Sequence, residues 1–183
     1  MAKRAGCREI IFGFESGSQR ILDILNKKTT IEQNKKAIEM CNKVGLIPAG
    51  TVMIGNPTET VEDIRATQRF LRENDIKNFG VSITTPFPGT ELWNRCKERN
   101  LIPSFIKWSD FTFDKVVIPA CETLSSNEIQ RLFTETMDIA SEKNFNLLNF
   151  IKENMSLKRI ITRIWHIFKN PKRAIKYIKK IKF

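Results

Sequence analysis

The chain has 183 residues, a hydrophobic fraction of 41% and a formal net charge of +11. This length suits one domain with a substantial core and an appendage, and the hydrophobic fraction is ordinary for a globular protein. The charge is uneven, because ten of the 31 bases lie between Lys158 and Lys182 and no acid follows Glu153. The other 21 bases face 20 acids, so a nucleic-acid-binding body is not indicated and nucleic acid is not expected as a partner.

Cysteine usage and targeting signals bear on the compartment. The four cysteines are widely separated and show neither metal-ligand spacing nor a secreted disulfide framework: Cys7, Cys41, Cys96 and Cys121. No signal-peptide core follows Met1, and no long uncharged apolar run occurs in the sequence. We therefore expect reduced cysteines and a cytoplasmic protein.

Three buried strands are predicted, at residues 9–14, 47–54 and 79–84, and helical patterns lie between them. A strand about every 30–40 residues is typical of right-handed βα units in a parallel sheet or barrel. The predicted fold class is therefore α/β, a partial (β/α) barrel of about three parallel βα units followed by an α-helical C-terminal tail. Three units are too few to close a barrel, so an exposed hydrophobic edge is expected at residues 9–14.

The helical patterns carry apolar stripes. A short helix reaches about Leu25, and Thr30 with Gln33 forms a capping-box pair before the next helix. That helix is expected to end at Gly45 and to bury Ile31, Ile38, Cys41 and Val44. The helix after the second strand is expected to bury Val61, Ile64, Phe70 and Leu71, and a fourth helix is predicted over 91–99.

The rest of the chain changes character after residue 102. Residues 101–119 are aromatic and irregular, and we expect them to pack a loop or short strand across the end of the barrel through Trp108, Phe111 and Phe113. Ser125 and Glu128 form a capping-box pair that opens a long helix. The predicted division is a partial barrel (1–102), an irregular aromatic connector (103–124), a helical extension (125–155) and a basic amphipathic helical tail (156–183).

The tail repeats large apolar residues at helical spacing, with lysines and arginines at most positions between them. Such a helix is long enough to lie on a surface and too charged to span a bilayer. It has three possible docking partners: the protein's own barrel, an anionic membrane interface, or nucleic-acid phosphates. Nucleic acid ranks last because the body lacks a basic patch, and membrane docking would place the protein at the inner face of the membrane. His166, also in the tail, has no evident catalytic partner.

The first strand leads into a polar turn, Glu15-Ser16-Gly17-Ser18. The carboxyl ends of strands are where α/β enzymes keep their ligands. Gly17 permits a positive φ or a close approach to a ligand, and the serine hydroxyls with the next helix's free amides can hold an anion or sugar hydroxyls. The other interpretation is an ordinary β-to-α turn with Ser18 as N-cap and Glu15 solvated. These residues alone leave both interpretations open.

Five motifs occur in a familiar order: Ala5-Gly6-Cys7, Gly13-Phe14-Glu15-Ser16-Gly17-Ser18, Lys27-Lys28-Thr29-Thr30, Gly55-Asn56-Pro57-Thr58-Glu59-Thr60 and Pro86-Phe87-Pro88-Gly89-Thr90. In this order the chain resembles the second half of a radical S-adenosylmethionine (SAM) enzyme core, especially the group often associated with a cobalamin-binding domain. The resemblance covers about residues 1–102. It implies that a [4Fe–4S] cluster cleaves SAM to a 5′-deoxyadenosyl radical, with cobalamin as a possible further cofactor.

The resemblance also implies roles for individual residues. Glu15 would contact the SAM ribose or amino-acid moiety, with Ser16, Gly17 and Ser18 shaping the turn, and Lys27 would pair with the SAM carboxylate. Ile54 and Gly55 would flank the adenine, and the pocket would be closed by the backbone at Thr84, Thr85 and Pro86.

Each of these residues also has a purely structural interpretation. Lys27 would be a solvated cation near a helix C-terminus, and Ile54 would be a core residue. The segment from Pro86 to Gly89 would be a rigid turn.

The sequence also departs from the family. Residues 1–183 contain no Cys-x3-Cys-x2-Cys loop, so this chain is not expected to hold the cluster with the family's ligands. Asn56 stands where a leucine is usual.

Two functional hypotheses follow. In the first, the chain is the SAM-binding half of a radical SAM enzyme, and its partner is the missing N-terminal barrel half, from the same longer protein or a separate subunit. In the second, the chain is a non-catalytic interaction protein or remnant whose basic tail docks on a membrane surface or partner.

Overall fold

A computed structural model describes residues 1–144. The described part contains three strands and five α-helices: β1 (Glu9–Glu15), α1 (Gln19–Ile24), α2 (Ile31–Lys43), β2 (Ile47–Ile54), α3 (Val61–Glu73), β3 (Asn78–Ile83), α4 (Glu91–Glu98) and α5 (Ser126–Asn144). The predicted tail at 156–183 and the end of the predicted helical extension lie outside the described residues. Among the helices of residues 1–144, none is long and apolar enough to cross a membrane.

The three strands form one parallel sheet in the order β1-β2-β3. Ile11 lies opposite Ala49, and Val52 lies opposite Val81. Each strand neighbours the next one along the chain, as in a barrel wall, and a crossover carrying one or two helices separates each pair. The prediction of an α/β fold with three parallel βα units is confirmed.

Helices α2, α3 and α5 cover one face of the sheet. Phe14 and Val52 belong to a core cluster with Ile38 of α2, Leu71 of α3 and Ile139 of α5. A second cluster joins the ends of β2 and β3 to α3 and α5; its strand and helix members include Ile54, Ile83, Ile64, Ile129 and Leu132. Every strand side chain named here lies on the same side of the pleat, because the strand period is two.

The opposite face, here called the open face, carries small and polar residues. Thr51 and Gly80 are exposed there, and Ser82 is half-buried. Ile11 of β1 is 70% exposed on this face. Within residues 1–144, β1 pairs only with β2 and is an edge strand, so the exposed hydrophobic edge expected from the sequence is present.

Helix starts follow the predicted capping pattern. Thr30 accepts the Gln33 N–H at 3.1 Å, and the Gln33 side chain accepts the Thr30 N–H at 2.9 Å. Ser125 and Glu128 make the same reciprocal pair. Each box satisfies backbone donors that a helix start leaves unpaired, so a local sequence signal was sufficient to place these boundaries.

One residue of the predicted α2 stripe is misplaced. Ile38 and Cys41 are buried, but Val44 is 54% exposed. Val44 is the C-cap, where the chain leaves the helix at φ −95° and ψ 5° before Gly45 takes a φ of +71°. The prediction for Val44 was wrong because the helical period no longer governs side-chain direction once the helix has ended.

Candidate functional site

The carboxyl ends of the three strands meet at one edge of the sheet. Glu15 ends β1, Gly55 follows β2, and Thr84 follows β3. Since parallel strands share a direction, residues that lie 40 positions apart (Glu15 and Gly55) and 29 positions apart (Gly55 and Thr84) in the sequence are brought to the same edge. This is the edge where ligands bind in parallel α/β proteins.

Glu15 and Lys27 form an ion pair at the end of β1. The Lys27 Nζ donates to Glu15 Oε1 at 2.9 Å, and the two side chains are 34% and 20% exposed, respectively. Glu15 has a φ of 60°, a conformation that costs a non-glycine residue free energy and is concentrated at functional sites. Glu15 is therefore neither merely solvated nor isolated, and the pair offers a ligand one carboxylate and one ammonium group.

Gly13 provides the space that this ion pair occupies. A Cβ at Gly13 would lie 2.5 Å from Glu15 Oε1 and 3.0 Å from Lys27 Nζ. Gly13 lies opposite Thr51 of the open face, so its missing side chain would project onto that face, and the strand register shifts between Gly13 and Glu15. The pair therefore lies directly over the β1 backbone.

The turn Ser16-Gly17-Ser18 packs against α3. The buried Ser16 hydroxyl is 3.1 Å from the Thr67 hydroxyl, and the Gly17 N–H donates to Thr67 Oγ1 at 2.9 Å. Ser18 stands at the N-cap position of α1, but its hydroxyl donates to Asp63 at 2.6 Å instead of capping the helix. The serine hydroxyls, which the sequence analysis considered as ligand-binding groups, therefore hold the turn against α3.

Gly17 allows the turn to approach α3 closely. A Cβ there would lie 2.6 Å from Thr67 Cα and 2.7 Å from the Ala66 carbonyl oxygen. The φ of Gly17 is not in the left-handed region, whereas Glu15, two residues earlier, does have a positive φ. Glycine is therefore required at position 17 because a side chain there would clash with the backbone of α3.

Asp63 at the start of α3 joins this turn to α1. Burial opposes ionisation of Asp63, but hydrogen bonds from Arg20, Ser18 and Thr60 outweigh it and hold the pKa of Asp63 well below its usual range. Arg20 also donates to the Thr58 carbonyl oxygen at 2.7 Å. Asp63 therefore stays ionised and links the turns that follow β1 and β2.

Glu59 organises the loop after β2 and was missed by the sequence analysis. Its fully buried carboxylate accepts the Gly55 N–H at 2.7 Å and the Asn56 N–H at 3.0 Å through Oε2. Oε1 is buried without a partner in the described residues. Burial, only partly offset by these hydrogen bonds, raises the pKa of Glu59 from 4.5 to about 7. The usable signal was a carboxylate four residues after a glycine, in a loop whose backbone donors need acceptors.

One of the predicted adenine-pocket residues lies in the core, and three others lie in the loop after β3. Ile54 is fully buried in the helix-side core, so its side chain does not reach the open face. The Thr84 hydroxyl donates to Asn56 Oδ1 at 2.8 Å, which joins the loops after β2 and β3. The Thr85 hydroxyl donates to the Thr112 carbonyl oxygen at 2.8 Å, and Pro86 is buried.

A cleft of about 290 Å³ opens at this edge, between the end of α1 and the start of α4. Its walls are largely apolar, and its lining residues are Ile24, Leu25, Pro57, Thr84, Thr90, Glu91, Leu92 and Arg95. Thr84 is the predicted adenine-pocket residue that contributes to it. Glu15 and Lys27 are not among the lining residues, so the ion pair and the cleft are separate features of the same edge.

The described residues do not fit an iron–sulfur cluster. Cys41, Cys96 and Cys121 are buried, and Cys7 is half-buried and contacts the Glu9 carbonyl oxygen at 3.3 Å. Within residues 1–144, no group of three or more His, Cys, Asp or Glu side chains is placed to hold a metal ion. The Glu15–Lys27 pair, by contrast, fits the amino-acid part of SAM in charge, because that part carries an ammonium and a carboxylate.

The fold defines an α/β protein in which the carboxyl end of a parallel sheet carries the Glu15–Lys27 pair and a cleft. Residues 1–71 match the family model described as the radical SAM superfamily. The resemblance predicted from the motifs is thereby confirmed over those residues, which include β1, β2 and most of α3.

Curated proteins similar to this chain include methyltransferases. An uncharacterized methyltransferase of Pyrococcus horikoshii is 38% identical over 110 residues, which are 60% of this chain and 24% of that protein. Bacteriochlorophyllide d C-8(2)-methyltransferase of Chlorobaculum tepidum is 28% identical over 98% of this chain and 36% of its own length. The chain thus spans about a quarter to a third of these relatives. A solved structure of archaeal Methanocaldococcus infernus Elp3 is similar at a TM-score of 0.49, with 16% identity, over 79% of this chain and 38% of that one.

Proposed function

We propose that this chain is the SAM-binding half of a radical SAM enzyme. The observation that carries the proposal is the Glu15–Lys27 ion pair, held over Gly13 at the carboxyl end of β1 within the segment that matches the superfamily. When bound, SAM supplies a sulfonium that a [4Fe–4S] cluster can cleave reductively. The residues of this chain bind and orient the cofactor.

The ion pair supplies the charges for orientation. Lys27 would hold the SAM carboxylate, and Glu15 would accept hydrogen bonds from the SAM amino group or ribose hydroxyls. The positive φ of Glu15 supports this role, because this backbone conformation costs free energy and yet is adopted by the residue that presents its carboxylate to the site. Ser16, Gly17 and Ser18 would act indirectly, by fixing this turn to α3.

The adenine would lie at the ends of β2 and β3. Gly55 and the backbone from Thr84 to Pro86 would flank it, and Glu59 would hold the Gly55 loop in place. Ile54 would support this surface from the core side. The cleft lined by Pro57 and Thr84 is close enough to the strand ends to extend this pocket.

The cluster ligands would come from a cysteine-loop barrel half outside residues 1–183. Two observations support this: these residues lack the Cys-x3-Cys-x2-Cys spacing, and β1 is an edge strand with an exposed Ile11 on the open face. A missing barrel half would pair with this edge and cover the open face. It would belong to the same longer protein or to a separate subunit.

The names of the relatives suggest the reaction class. Several relatives are methyltransferases, and one is an anaerobic magnesium-protoporphyrin IX monomethyl ester cyclase of Rubrivivax gelatinosus, 29% identical over 110 residues. Methyl transfer is the leading candidate, and cobalamin is proposed as the methyl carrier in that case. Cyclisation is the second candidate.

SAM binding tests the proposal. The chain is produced together with the proposed cysteine-loop half, as one longer protein or as two subunits, and SAM affinity is measured by calorimetry. Glu15→Ala and Lys27→Ala each remove a charged hydrogen-bond partner, for which about 1.5–3 kcal/mol is typical. Unchanged affinity in both variants would refute the proposed site.

A pair of glycine variants sharpens the test. Gly13→Ala places a Cβ where the ion pair lies, whereas Gly80→Ala on the same open face meets its nearest atom, Thr51 Cγ2, only at 3.9 Å. We expect Gly13→Ala to weaken SAM binding and Gly80→Ala to leave it unchanged. Equal affinity in both would show that the position of the ion pair does not matter.

A further inference from the structure

Five aromatic side chains form one connected group beside the carboxyl end of β3. We call this group the aromatic wall; its members are Phe87, Trp93, Trp108, Phe111 and Phe113. Phe87 and Phe111 are stacked at 5.3 Å with an interplanar angle of 25°. Phe111 also contacts the two tryptophan rings, at 6.1 and 5.6 Å. The rings therefore hold one another in fixed orientations.

Packing accounts for only part of the wall. Trp93 and Phe111 pack against a core cluster of Cys96, Ile118 and Ala120. In contrast, Trp108 is 77% exposed and Phe113 is 57% exposed. The inner rings thus anchor the wall, while the outer rings present large apolar surface to solvent. A connected exposed patch of this kind marks an interaction site.

The wall is joined directly to the candidate site. Phe87 follows Pro86 in sequence, and the Ile83 N–H at the end of β3 donates to the Phe113 carbonyl oxygen at 2.7 Å. The Thr85 hydroxyl donates to the neighbouring Thr112 carbonyl oxygen at 2.8 Å. The strand that ends at the proposed adenine pocket therefore also fixes the position of the wall.

We propose that the aromatic wall binds the substrate through a large, planar, conjugated ring. This inference rests on the proposed function, because it makes the wall the substrate side of the SAM site. All five side chains are aromatic and uncharged, and the faces of aromatic rings favour contact with a flat π-system over contact with a flexible chain. A lipid tail would be satisfied by aliphatic side chains. A membrane surface would require a basic rim, whereas the charged residues around the outer rings cancel in formal charge: Lys107 and Asp110 near Trp108, and Asp114 and Lys115 after Phe113.

Porphyrin binding by the full chain tests the inference. Protoporphyrin IX is titrated and followed by its Soret absorbance, and palmitate is the flexible apolar competitor. The double variant Trp108→Leu, Phe113→Leu keeps apolar volume and removes the outer rings. Met40→Ala is the control, since Met40 is 60% exposed on α2. We expect the double variant to bind at least tenfold more weakly, the control to bind normally, and palmitate not to displace the porphyrin.

Several results would overturn the inference: wild-type affinity in the correctly folded double variant, an equal loss in the control, or displacement by palmitate. Sedimentation provides a further test, because a dimer that the double variant abolishes would assign the wall to a second copy of the chain. Should the double variant misfold, Phe113→Leu alone replaces it. SAM affinity of the complemented protein is measured in parallel. If wild type binds SAM but not the porphyrin, only the inference about the wall is refuted. If wild type does not bind SAM, the proposed function is refuted.

Discussion

Glu59 shows how one buried carboxyl group controls a loop at the candidate site. It is fully buried and accepts two backbone N–H groups, from Gly55 and Asn56, so the loop after β2 depends on this side chain. Both the charged and the neutral form keep an acceptor for these donors. The free-energy cost of the charged form is its desolvation, and for that reason its pKa is raised to about 7.

We predict that this group makes stability fall as pH rises. The folded-state pKa is above the ordinary value of 4.5, so the folded chain binds more protons than the unfolded chain between pH 4.5 and 7. The contribution of Glu59 is complete below pH 4.5, is lost as pH rises to about 7, and amounts to on the order of 3 kcal/mol. Glu59→Gln keeps the acceptor but cannot ionise, and should remove this slope.

Urea unfolding at pH 4.5, 6 and 8 measures the effect as the difference between wild type and Glu59→Gln. Glu62→Gln is the matched control, because Glu62 is an exposed carboxylate in the first turn of α3. Its stability should follow the wild-type pH dependence. Parallel curves for wild type and Glu59→Gln would contradict the prediction.

At the scale of elements, α3 positions the turn between β1 and α1. The turn contributes the Gly17 N–H and two serine hydroxyls, and α3 contributes Thr67 and Asp63. These contacts connect residues about 45–51 positions apart. The position of Glu15, which immediately precedes the turn, therefore depends on a helix that follows the next strand.

Replacing Gly17 should disturb this contact. In Gly17→Ala the new Cβ would meet the α3 backbone at 2.6 Å, so turn and helix must separate, which costs about 1–3 kcal/mol or more. Gly80→Ala, whose Cβ meets an atom only at 3.9 Å, should be close to neutral. Urea midpoints of the two variants provide the comparison, and similar midpoints would mean that the turn and α3 are not closely coupled.

At the scale of the whole molecule, the open face and the β1 edge are the surfaces that a second barrel half would cover. Ile11→Lys places a charge on this face at a residue that is already 70% exposed. We predict little change in the stability of the chain alone and a large loss of association with the cysteine-loop half. Met40→Lys on α2 should associate normally. Co-purification of Ile11→Lys at the wild-type ratio would show that this face is not the contact.

The basic tail at 156–183 lies outside the described residues, and its expected behaviour rests on sequence alone. Its apolar residues at helical spacing and its ten bases predict salt-sensitive binding to anionic vesicles. Flotation of the full chain, compared with a chain deleted after Asn154, measures this. If the full chain ignores vesicles and the deletion unfolds the rest, the tail is part of the core.

The sequence by itself was sufficient for the strands, the helix starts and the parallel α/β class. Strand and helix periods, the Thr30–Gln33 box and the Ser125–Glu128 box are local signals, because their partners lie within a few residues. The order of the motifs was likewise readable as text, and it predicted the superfamily that residues 1–71 match.

Only the tertiary structure decided how the polar groups of the site are used. Ser16 and Ser18 face α3, Glu15 pairs with Lys27, and Glu59 turns inward to bind the Gly55 loop. No local pattern distinguishes a hydroxyl that awaits a ligand from one that contacts a helix some fifty residues away. Hydrogen-bond partners are chosen by packing, and packing depends on which distant elements the sheet brings together.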